Sequence, residues 1–399
     1  MQKLFGLFGA GIGGALVGVL VVVATQGSPS SPETTRPSTT STVPARIAPV
    51  PESSADVLLA WTTRQLDTRL TGVARELPEV QVVSEVASHL TDLVASHDSD
   101  GGTVDDVDPG WSIPLETIAV DPAAHAQLAS VADRDAVATL GPGQALLGRS
   151  SAALRRLDVG GTVELTGGHK LVVSGIVEDA TIGAAELAVD QATGVEIGVV
   201  TPRYLLVAHD SDRATVEAAL RAALPADVPV RFRGLGETPY LRQGDAVLPQ
   251  VRIKERFGEF AYKPPAPGER EFEQDPAWQS ENLVSRDMPI LGRMRCHRAV
   301  VDAIEGALTE IADSGLAALV DPAGFAGCWN PRLVVPGSDM SRHAWGVALD
   351  VNYDANPTGR ESVQDPRLVD VFRRWGFTWG GKWLLPDPAH LEFVEPPER

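Results

Sequence analysis

Few cysteines and few basic residues characterise this 399-residue sequence. Its only cysteines are Cys296 and Cys328, which excludes a disulfide-dense scaffold or a cysteine-rich metal module. Lys and Arg number 34 against 53 Asp and Glu, a formal net charge of -19. Such an acidic balance argues against a nucleic-acid partner held through phosphate contacts. The length exceeds what one hydrophobic core usually organises and predicts two folded domains.

Long hydrophobic runs are also scarce, and the one present lies at the N-terminus. Residues Leu4 to Ala24 form an uncharged stretch of 21 residues, long enough to cross a bilayer as a helix. We expect residues 1–27 to be an uncleaved transmembrane anchor, with everything beyond them outside the cell membrane. A cleaved signal peptide is the alternative, disfavoured by the length of the run and the weak basic region before it.

A Ser/Thr/Pro-rich stretch follows the apolar run. Residues 28–54 contain 12 Ser or Thr and six Pro, a composition that cannot bury enough apolar surface to offset chain entropy. Proline keeps such a chain extended. The stretch is therefore predicted to be a linker that holds the following domain away from the membrane.

Residues 55–233 have the alternating short segments of a mixed α/β extracellular domain. The stretch GTVELTGGHKLVVSGIVED predicts a β-hairpin with its turn at Gly167 and Gly168. ATVEAALRAAL has helical periodicity and lies between two strand-like runs, GVVTPRYLLVA and VPVRFRG. The phrases LGPGQALLGRSSAALRRLDVGGTVEL and HKLVVSGIVEDA resemble extracellular domains of bacterial permease-type membrane proteins. A membrane-protein partner for this domain is a further expectation. Residues 234–249 are expected to be a second linker.

Residues 250–399 are predicted to form a compact domain, because six of the eight tryptophans and both cysteines lie there. Helical periodicity runs from Val301 to Ile311, and a second helix is predicted to begin at Asp365-Pro366 and to end at Gly376. Outside the cell, the two cysteines favour a disulfide that stabilises the fold by roughly 3 kcal/mol. A catalytic thiol at Cys328 is the alternative and would need a histidine base.

The stretch SRHAWGVALDVNYD carries the first candidate site residues. VALDVN alternates like a strand, which directs Asp350 and Asn352 away from the apolar core, and Gly346 allows a bend that brings the loop residue His343 to the same place. The closing HLEFV alternates too, so His390 and Glu392 share one face. Two histidines and a carboxylate with one position left open are the pattern of catalytic rather than structural zinc.

These residues form two motifs that resemble the zinc D-alanyl-D-alanine carboxypeptidase family, which includes vancomycin-resistance carboxypeptidases and phage L-alanyl-D-glutamate endolysins. S-x-H-x-x-G-x-A-x-D is present from Ser341 to Asp350, and D-x-x-H from Asp387 to His390. The resemblance extends over about residues 250–399 through VRIKERFGEFAYKP, CWNPR and WGFTWGGKW. It implies an α+β fold with an antiparallel sheet, shared with lysostaphin-type peptidases and the hedgehog signalling domain. It also implies one zinc ion held by His343, Asp350 and His390.

The resemblance also implies roles for residues outside the ligand set. Asp387 is the candidate general base, three residues before a ligand, and Glu392 is the rival because strand alternation places it on the ligand face. Glu392 can instead be an acceptor that orients a ligand histidine. Arg332 matches a family arginine and would face the developing oxyanion or the substrate carboxylate. A surface salt bridge is the alternative for Arg332.

Compartment and resemblance together predict a membrane-anchored zinc metallopeptidase that hydrolyses the stem peptide of peptidoglycan, of the D,D-carboxypeptidase type. Cleavage of L-Ala-D-Glu or of a cross-link is an open alternative. A different class of function is a non-catalytic cell-wall-binding or sensor protein that keeps the zinc site.

Overall fold

A computed structural model describes residues 56–63, 65–335 and 339–395. The predicted transmembrane anchor and the Ser/Thr/Pro-rich linker lie outside these described residues. Within the described ranges, no helix is both long and apolar enough to span a membrane.

One large mixed sheet occupies the first half of the described chain, and ten strands contribute to it. The strands are β1 (Asp56–Thr62), β2 (Val80–His97), β3 (Thr103–Asp106), β4 (Ile113–Val120), β5 (Gln144–Gly148), β6 (Thr162–Leu165), β7 (His169–Val177), β8 (Leu187–Asp190), β9 (Pro202–His209) and β10 (Val230–Gly234). Their order is β10-β1-β9-β2-β4-β8-β5-β7-β6, with β3 paired to β2. The pairs β4–β8 and β5–β7 are parallel, and the other pairs are antiparallel.

The length of β2 explains the topology of this sheet. Its 18 residues pair first with β9, then with β4 and finally with β6. Because β6 also pairs with β7, the strands β2, β4, β8, β5, β7 and β6 close a ring. Closure pairs the edges of these six strands with one another, whereas β10 stays at the end of the strand order.

Short helices connect these strands. They are α1 (Thr68–Glu76), α2 (Pro122–Ala126), α3 (Arg134–Ala138), α4 (Arg149–Arg155), α5 (Gln191–Glu196) and α6 (Arg213–Ala222). Helix α6 lies between β9 and β10, as its periodicity predicts. Strands β6 and β7 form the expected hairpin, and Gly167 and Gly168 both have a φ of 81° at its turn. The mixed α/β architecture predicted for this part of the chain is confirmed.

The last part of the described chain has four helices and three small antiparallel sheets. The helices are α7 (Gln250–Phe257), α8 (Pro276–Asn282), α9 (Val301–Asp313) and α10 (Pro366–Arg374). The strands are β11 (Tyr262–Lys263), β12 (Glu273–Gln274), β13 (Leu283–Met288), β14 (Gly292–His297), β15 (Ala348–Asp350), β16 (Phe377–Trp379) and β17 (His390–Phe393). They pair as β11-β12, β13-β14 and β15-β17-β16. The antiparallel sheets agree with the prediction for this region.

Helices α9 and α10 pack together behind the three-stranded sheet. The buried residues of α9 recur at helical spacing, and Gly306 on this helix is approached so closely by Trp375 that a Cβ atom would lie 2.3 Å from its ring. Helix α10 begins as predicted, because the Asp365 side chain accepts a hydrogen bond from the backbone N–H of Arg367 and Pro366 occupies the first turn.

The hydrophobic core is divided between the two parts of the chain. One cluster of buried residues runs from Ile253 to Phe393, whereas three others draw their buried residues from Val57 to Val230. This distribution is compatible with the expected domains 55–233 and 250–399, whose boundaries stay predictions. All the described residues nevertheless fall in one compact unit, residues 45–399.

A buried charge cluster joins the two parts. The Lys254 ammonium on α7 lies 2.7 Å from the Glu186 carboxylate and 2.8 Å from that of Glu259, and the Arg155 guanidinium pairs with the same two carboxylates. The side chains of Arg155, Lys254 and Glu186 are fully buried. Removing one member of such a cluster leaves an uncompensated buried charge, at a cost of about 3 to 5 kcal/mol.

Candidate metal centre

Asp350 and His390 face each other across two paired strands. They are direct partners in the antiparallel register of β15 and β17. The Nδ1 atom of His390 lies 3.0 Å from Oδ1 of Asp350. The sheet register therefore brings together two side chains that are 40 residues apart in sequence.

His343 reaches the same place from a short 3-10 helix, Arg342–Trp345. Ser341 caps this turn by accepting a hydrogen bond from the His343 backbone N–H, and Gly346 ends it with a φ of 66°. The left-handed conformation of Gly346 supplies the predicted bend. The Nε2 atom of His343 lies 3.2 Å from Oδ1 of Asp350.

The strand that carries Asp350 is shorter than its alternation predicts. It ends at Asp350, and Asn352 has a φ of 57°, so Asn352 does not continue the strand face. The Asn352 side chain instead accepts a hydrogen bond from the Asp321 N–H and donates to Leu319 and Gln364. These three contacts stabilise the turn that ends the strand.

The three side chains have the geometry of a metal site. Potential ligand atoms of His343, Asp350 and His390 all lie within 4.8 Å of one another, and all three residues are buried. In a tetrahedral zinc site with ligand distances near 2.1 Å, neighbouring ligand atoms lie about 3.4 Å apart. The distances of 3.0 and 3.2 Å from Asp350 to the two histidines are close to this spacing.

In each of the two histidines, one ring nitrogen contacts a protein group outside the cluster and the other faces Asp350. The nitrogen that faces Asp350 is the one that could bind a metal. Nδ1 of His343 donates a hydrogen bond to the Cys328 carbonyl oxygen at 2.8 Å. Nε2 of His343 is buried and finds no hydrogen-bond partner of good geometry among the described residues. Nε2 of His390 lies 3.4 Å from Oε2 of Glu392. Such outer contacts set the tautomer and the orientation of metal-binding histidines.

The charges of the cluster shift the pKa values of its members. Burial alone would raise the pKa of Asp350, but His343 and His390 hold it well below its usual range. Burial alone would lower the pKa of His390, yet hydrogen bonds to Asp350 and Glu392 raise it to about 10. Because histidine ligands must be neutral, a metal bound here would compete with protonation of His390.

The segment around Cys328 of the disulfide contacts the backbone of two candidate ligands. Cys296 and Cys328 form the predicted disulfide, with Cα atoms 5.5 Å apart, so neither cysteine is a free thiol. The backbone next to Cys328 pairs with both Asp350 and His343: Asp350 N donates to Gly327 O at 3.3 Å, and Asn330 N donates to His343 O at 2.9 Å. The disulfide therefore fixes the segment that contacts two candidate ligands.

Glu392 lies beside the candidate ligands rather than open to solvent. Its side chain is 4% exposed, and its Oε1 accepts a hydrogen bond from the backbone N–H of Val247 at 3.3 Å while its Oε2 faces His390. Burial alone would raise its pKa, but His390, Arg342 and the Val247 N–H lower it. With both carboxylate oxygens occupied, Glu392 is suited to orient His390.

Asp387 and Arg332 lie in two separate segments, and only the Arg332 side chain has a contact with a candidate ligand among those of the described residues. Asp387 begins the turn that ends at His390, because its carbonyl oxygen accepts the His390 N–H at 3.1 Å, and its half-buried carboxylate accepts a hydrogen bond from Thr358. The Arg332 guanidinium lies 3.9 Å from Oδ2 of Asp350 and is 18% exposed. Arg332 thus contacts the candidate ligand set rather than a distant surface acid.

Three contacts were not predicted from the sequence. The Trp383 ring lies 5.1 Å from the His390 ring, the Cys328 carbonyl binds His343, and the Val247 N–H binds Glu392. The two Gly of WGGKW, shortly before D-x-x-H, signal a tight turn that returns Trp383 to the site. The backbone contacts have no such signal, because any residue type supplies an N–H and a carbonyl.

Comparison with known proteins gives one family match near the end of the chain and two weak structural matches. Residues 336–393 match the model of a family described as D-alanyl-D-alanine carboxypeptidase. No curated protein sequence matches the chain. Two solved structures match part of the chain at low similarity. The periplasmic region of MacB from Actinobacillus actinomycetemcomitans has 12% identity over 44% of this chain and 87% of that one, with a TM-score of 0.31.

The second is the extracellular domain of the noncanonic ABC-type transporter YknZ from Gram-positive bacteria. It has 12% identity over 41% of this chain and 88% of that one, with a TM-score of 0.27. At the other end of the chain, residues 336–393, which include all three candidate ligands, match the D-alanyl-D-alanine carboxypeptidase family, so the resemblance seen in the two motifs is confirmed.

Proposed function

We propose that this protein is a zinc metallopeptidase that hydrolyses the stem peptides of peptidoglycan. One observation carries the proposal: a buried His-Asp-His cluster of metal-binding geometry lies within the segment that matches a carboxypeptidase family. Neither half is sufficient alone, since a buried histidine is often only a polar core residue. The conjunction is specific because the motif residues and the cluster residues are the same.

Zinc is the metal that we assign to the site. Two imidazoles and one carboxylate, with a fourth position open, form a typical catalytic zinc set. The buried Nε2 of His343, with its Nδ1 hydrogen-bonded to Cys328, fits an additional electrophile at the centre of the cluster. Zinc bound there supplies a water of pKa about 7 and a Lewis acid for the scissile carbonyl.

The chain's own residues supply the remaining chemistry. We assign Asp387 as the group that takes the proton of the attacking water and passes it to the leaving amine. Its competitor Glu392 is buried and occupied at both oxygens, which supports the orienting role for Glu392. Arg332, next to Asp350, is assigned to the developing oxyanion or to a substrate carboxylate, where a well-aimed guanidinium is worth a few kcal/mol.

The assigned substrate follows from the family match and from the expected location. We propose an extracellular catalytic domain anchored by residues 1–27, where the peptide of the cell wall is the available target. The linker of residues 28–54 would allow the catalytic domain to extend to this peptide. The part of the chain from residue 55 to 233 is proposed to meet a membrane-protein partner.

The family description supports the D,D-carboxypeptidase reaction, release of the terminal D-alanine. Cleavage of the L-Ala-D-Glu bond or of a cross-link uses the same zinc chemistry and is distinguished by its products. A non-catalytic wall-binding or sensor protein would bind the same peptides without cleaving them.

The test incubates the purified full chain with muropeptides of defined stem length and identifies the products by mass. A D,D-carboxypeptidase converts pentapeptide stems to tetrapeptide stems and D-alanine. Release of the peptide that begins at D-Glu would assign cleavage of the L-Ala-D-Glu bond. Separation of cross-linked dimers would assign cleavage of a cross-link. Binding without any product would support the sensor, and the His343→Ala variant, which lacks a candidate metal ligand, serves as the matched control.

A further inference from the structure

The stretch predicted to be the second linker contains a buried carboxylate, Asp245. Its side chain is 5% exposed. Oδ1 of Asp245 forms ion pairs with Arg231 and Arg233, both at the end of the large sheet on β10. Arg233 also donates to the Gly244 carbonyl at 2.7 Å, so the chain around Asp245 is tied to β10 by more than one contact.

The other oxygen of Asp245 contacts the segment that carries Trp383, a neighbour of His390. Oδ2 accepts a hydrogen bond from the backbone N–H of Leu384 at 2.6 Å. Arg231 donates to the Lys382 carbonyl oxygen at 3.1 Å. The Leu384 side chain packs against the hydrophobic cluster that includes Val57 and Tyr204 of the large sheet. Three contacts, from Asp245, Arg231 and the hydrophobic cluster of the large sheet, thus converge on residues 382–384.

Residues 380–387, the clamped segment, carry two groups of the proposed site. The Trp383 ring lies beside His390, and Asp387 is the proposed base. The segment is internally bonded, because both Trp383 N and Asp387 N donate to Gly380 O at 3.0 Å. Its position therefore sets the positions of Trp383 and Asp387 together.

Val247 and Leu248, which follow Asp245 closely in the chain, make two further contacts with the site. The Val247 N–H binds Glu392, and the Leu248 carbonyl oxygen accepts a hydrogen bond from Arg342 at 2.7 Å. Glu392 orients His390, and Arg342 precedes His343. Residues 245–248 thus contact three separate segments of the site, which a passive spacer would not do.

We propose that Asp245, held by Arg231 and Arg233, is a positioning residue that fixes the clamped segment and with it Trp383 and Asp387. The part of this proposal that concerns turnover rests on the proposed peptidase function. Through these contacts the large sheet supports residues 380–387, which form one side of the proposed active site. Displacement of a catalytic group by about 1 Å can cost up to 100-fold in rate, so loss of this support should be visible in kcat.

The experiment compares Asp245→Ala and Asp245→Asn in the full, zinc-loaded chain. The asparagine keeps an oxygen acceptor for the Leu384 N–H, whereas the alanine removes it. Asp133→Asn is the matched control, because Asp133 is also buried and accepts hydrogen bonds from Glu178 and Thr181, away from the site. Amide hydrogen exchange of residues 380–387, zinc content, and kcat and KM on a pentapeptide muropeptide are measured for each.

We expect Asp245→Ala to accelerate exchange in the clamped segment and to lower kcat about 10- to 100-fold, with zinc content unchanged and KM little altered. Asp245→Asn should recover much of this loss, and Asp133→Asn should match the unmodified chain. Unchanged exchange in Asp245→Ala, or faster exchange with an unchanged kcat, would overturn the proposal. If Asp245→Ala fails to fold, Arg231→Met decides it, because this change removes the ion pair with Asp245 and the hydrogen bond to the Lys382 carbonyl oxygen. Faster exchange in residues 380–387 supports the proposal, and unchanged exchange overturns it.

Failure of the proposed function gives a different result. If the unmodified chain cleaves no muropeptide, the peptidase assignment fails. The exchange comparison then decides the structural claim by itself, since faster exchange confined to residues 380–387 supports the clamp and unchanged exchange overturns it.

Discussion

The Nδ1 atom of His343 donates a hydrogen bond to the carbonyl oxygen of Cys328, 2.8 Å away. Because a carbonyl can only accept, Nδ1 carries a proton, which leaves Nε2 as the nitrogen that could bind a metal. Cys328 forms a disulfide with Cys296, 32 residues away in sequence. The disulfide therefore holds in place the residue whose carbonyl oxygen orients a candidate ligand.

This relationship predicts a coupled loss when both cysteines are removed. The double variant Cys296→Ala/Cys328→Ala should lose about 3 to 4 kcal/mol of stability through the freed unfolded chain. It should also bind zinc about 10- to 100-fold more weakly, since an outer contact of a ligand is loosened. Urea unfolding and zinc competition with a fluorescent chelator measure the two effects. Unchanged zinc affinity in a destabilised protein would mean that the disulfide supports the fold alone.

Removal of any one candidate ligand should abolish zinc binding. His343→Ala, Asp350→Ala and His390→Ala each leave two protein ligands, too few for a stable site. His297→Gln is the matched control, because His297 is equally buried but contacts the Phe257 carbonyl and the Ala299 N–H instead of the cluster. Metal analysis after dialysis should find one zinc per chain in the control and none in the ligand variants. Full occupancy in any ligand variant would remove that residue from the site.

Substitution of Asp387 and of Glu392 should have different effects on turnover and on zinc binding. Asp387→Asn should lower kcat by about 100- to 10,000-fold, the usual contribution of a general base, with zinc still bound. Glu392→Gln should weaken zinc binding by about 10- to 100-fold and keep most of the turnover when zinc is saturating. Steady-state kinetics at measured zinc occupancy checks both. Near-normal turnover in Asp387→Asn would exclude it as the base and return Glu392 to that role.

The metal-free protein should lose stability on mild acidification because of His297. Burial lowers the pKa of His297 to about 4, below the ordinary value of about 6.5 for an exposed histidine. The unfolded chain therefore binds this proton first, so the stabilisation is complete above about pH 6.5 and is lost as the pH falls toward 4. The slope reaches at most about 1.4 kcal/mol per pH unit for one proton.

Urea unfolding at a series of pH values from 7 to 4.5 measures this slope, and His297→Gln should reduce it. A residual slope is expected from His125, whose pKa is also lowered by burial. An identical pH dependence with and without His297 would contradict the assignment.

Local sequence patterns predicted the elements whose cause is local. Helix α10 begins at its Asp-Pro signal, and the β6–β7 hairpin turns at its two glycines, because backbone conformation there depends on the residues themselves. The ligand set also follows from short motifs. Each motif fixes a turn and a strand register, and these bring the side chains together.

The rest depends on contacts between distant segments. Nothing local in Asp245 indicates that its partners are Arg231 and the Leu384 N–H, since one of these is a backbone group. The expectation of a strand face through Asn352 was wrong for the same reason, because Asp321 and Gln364 bind its side chain and stabilise a turn instead. The ring closed by β2 and β6 likewise depends on a pairing that alternation alone cannot specify.

The most direct test of zinc-dependent peptide hydrolysis is the rate of D-alanine release from a pentapeptide muropeptide by the full chain, measured before chelation, after chelation and after zinc is restored. The proposed function predicts release, loss of at least about 99% of the rate on chelation, and recovery with one zinc per chain, since the attacking water depends on the metal. His343→Ala, treated identically, should stay inactive throughout. Release that persists without metal, or no hydrolysis of any stem peptide by the zinc-loaded chain, would contradict the proposed function.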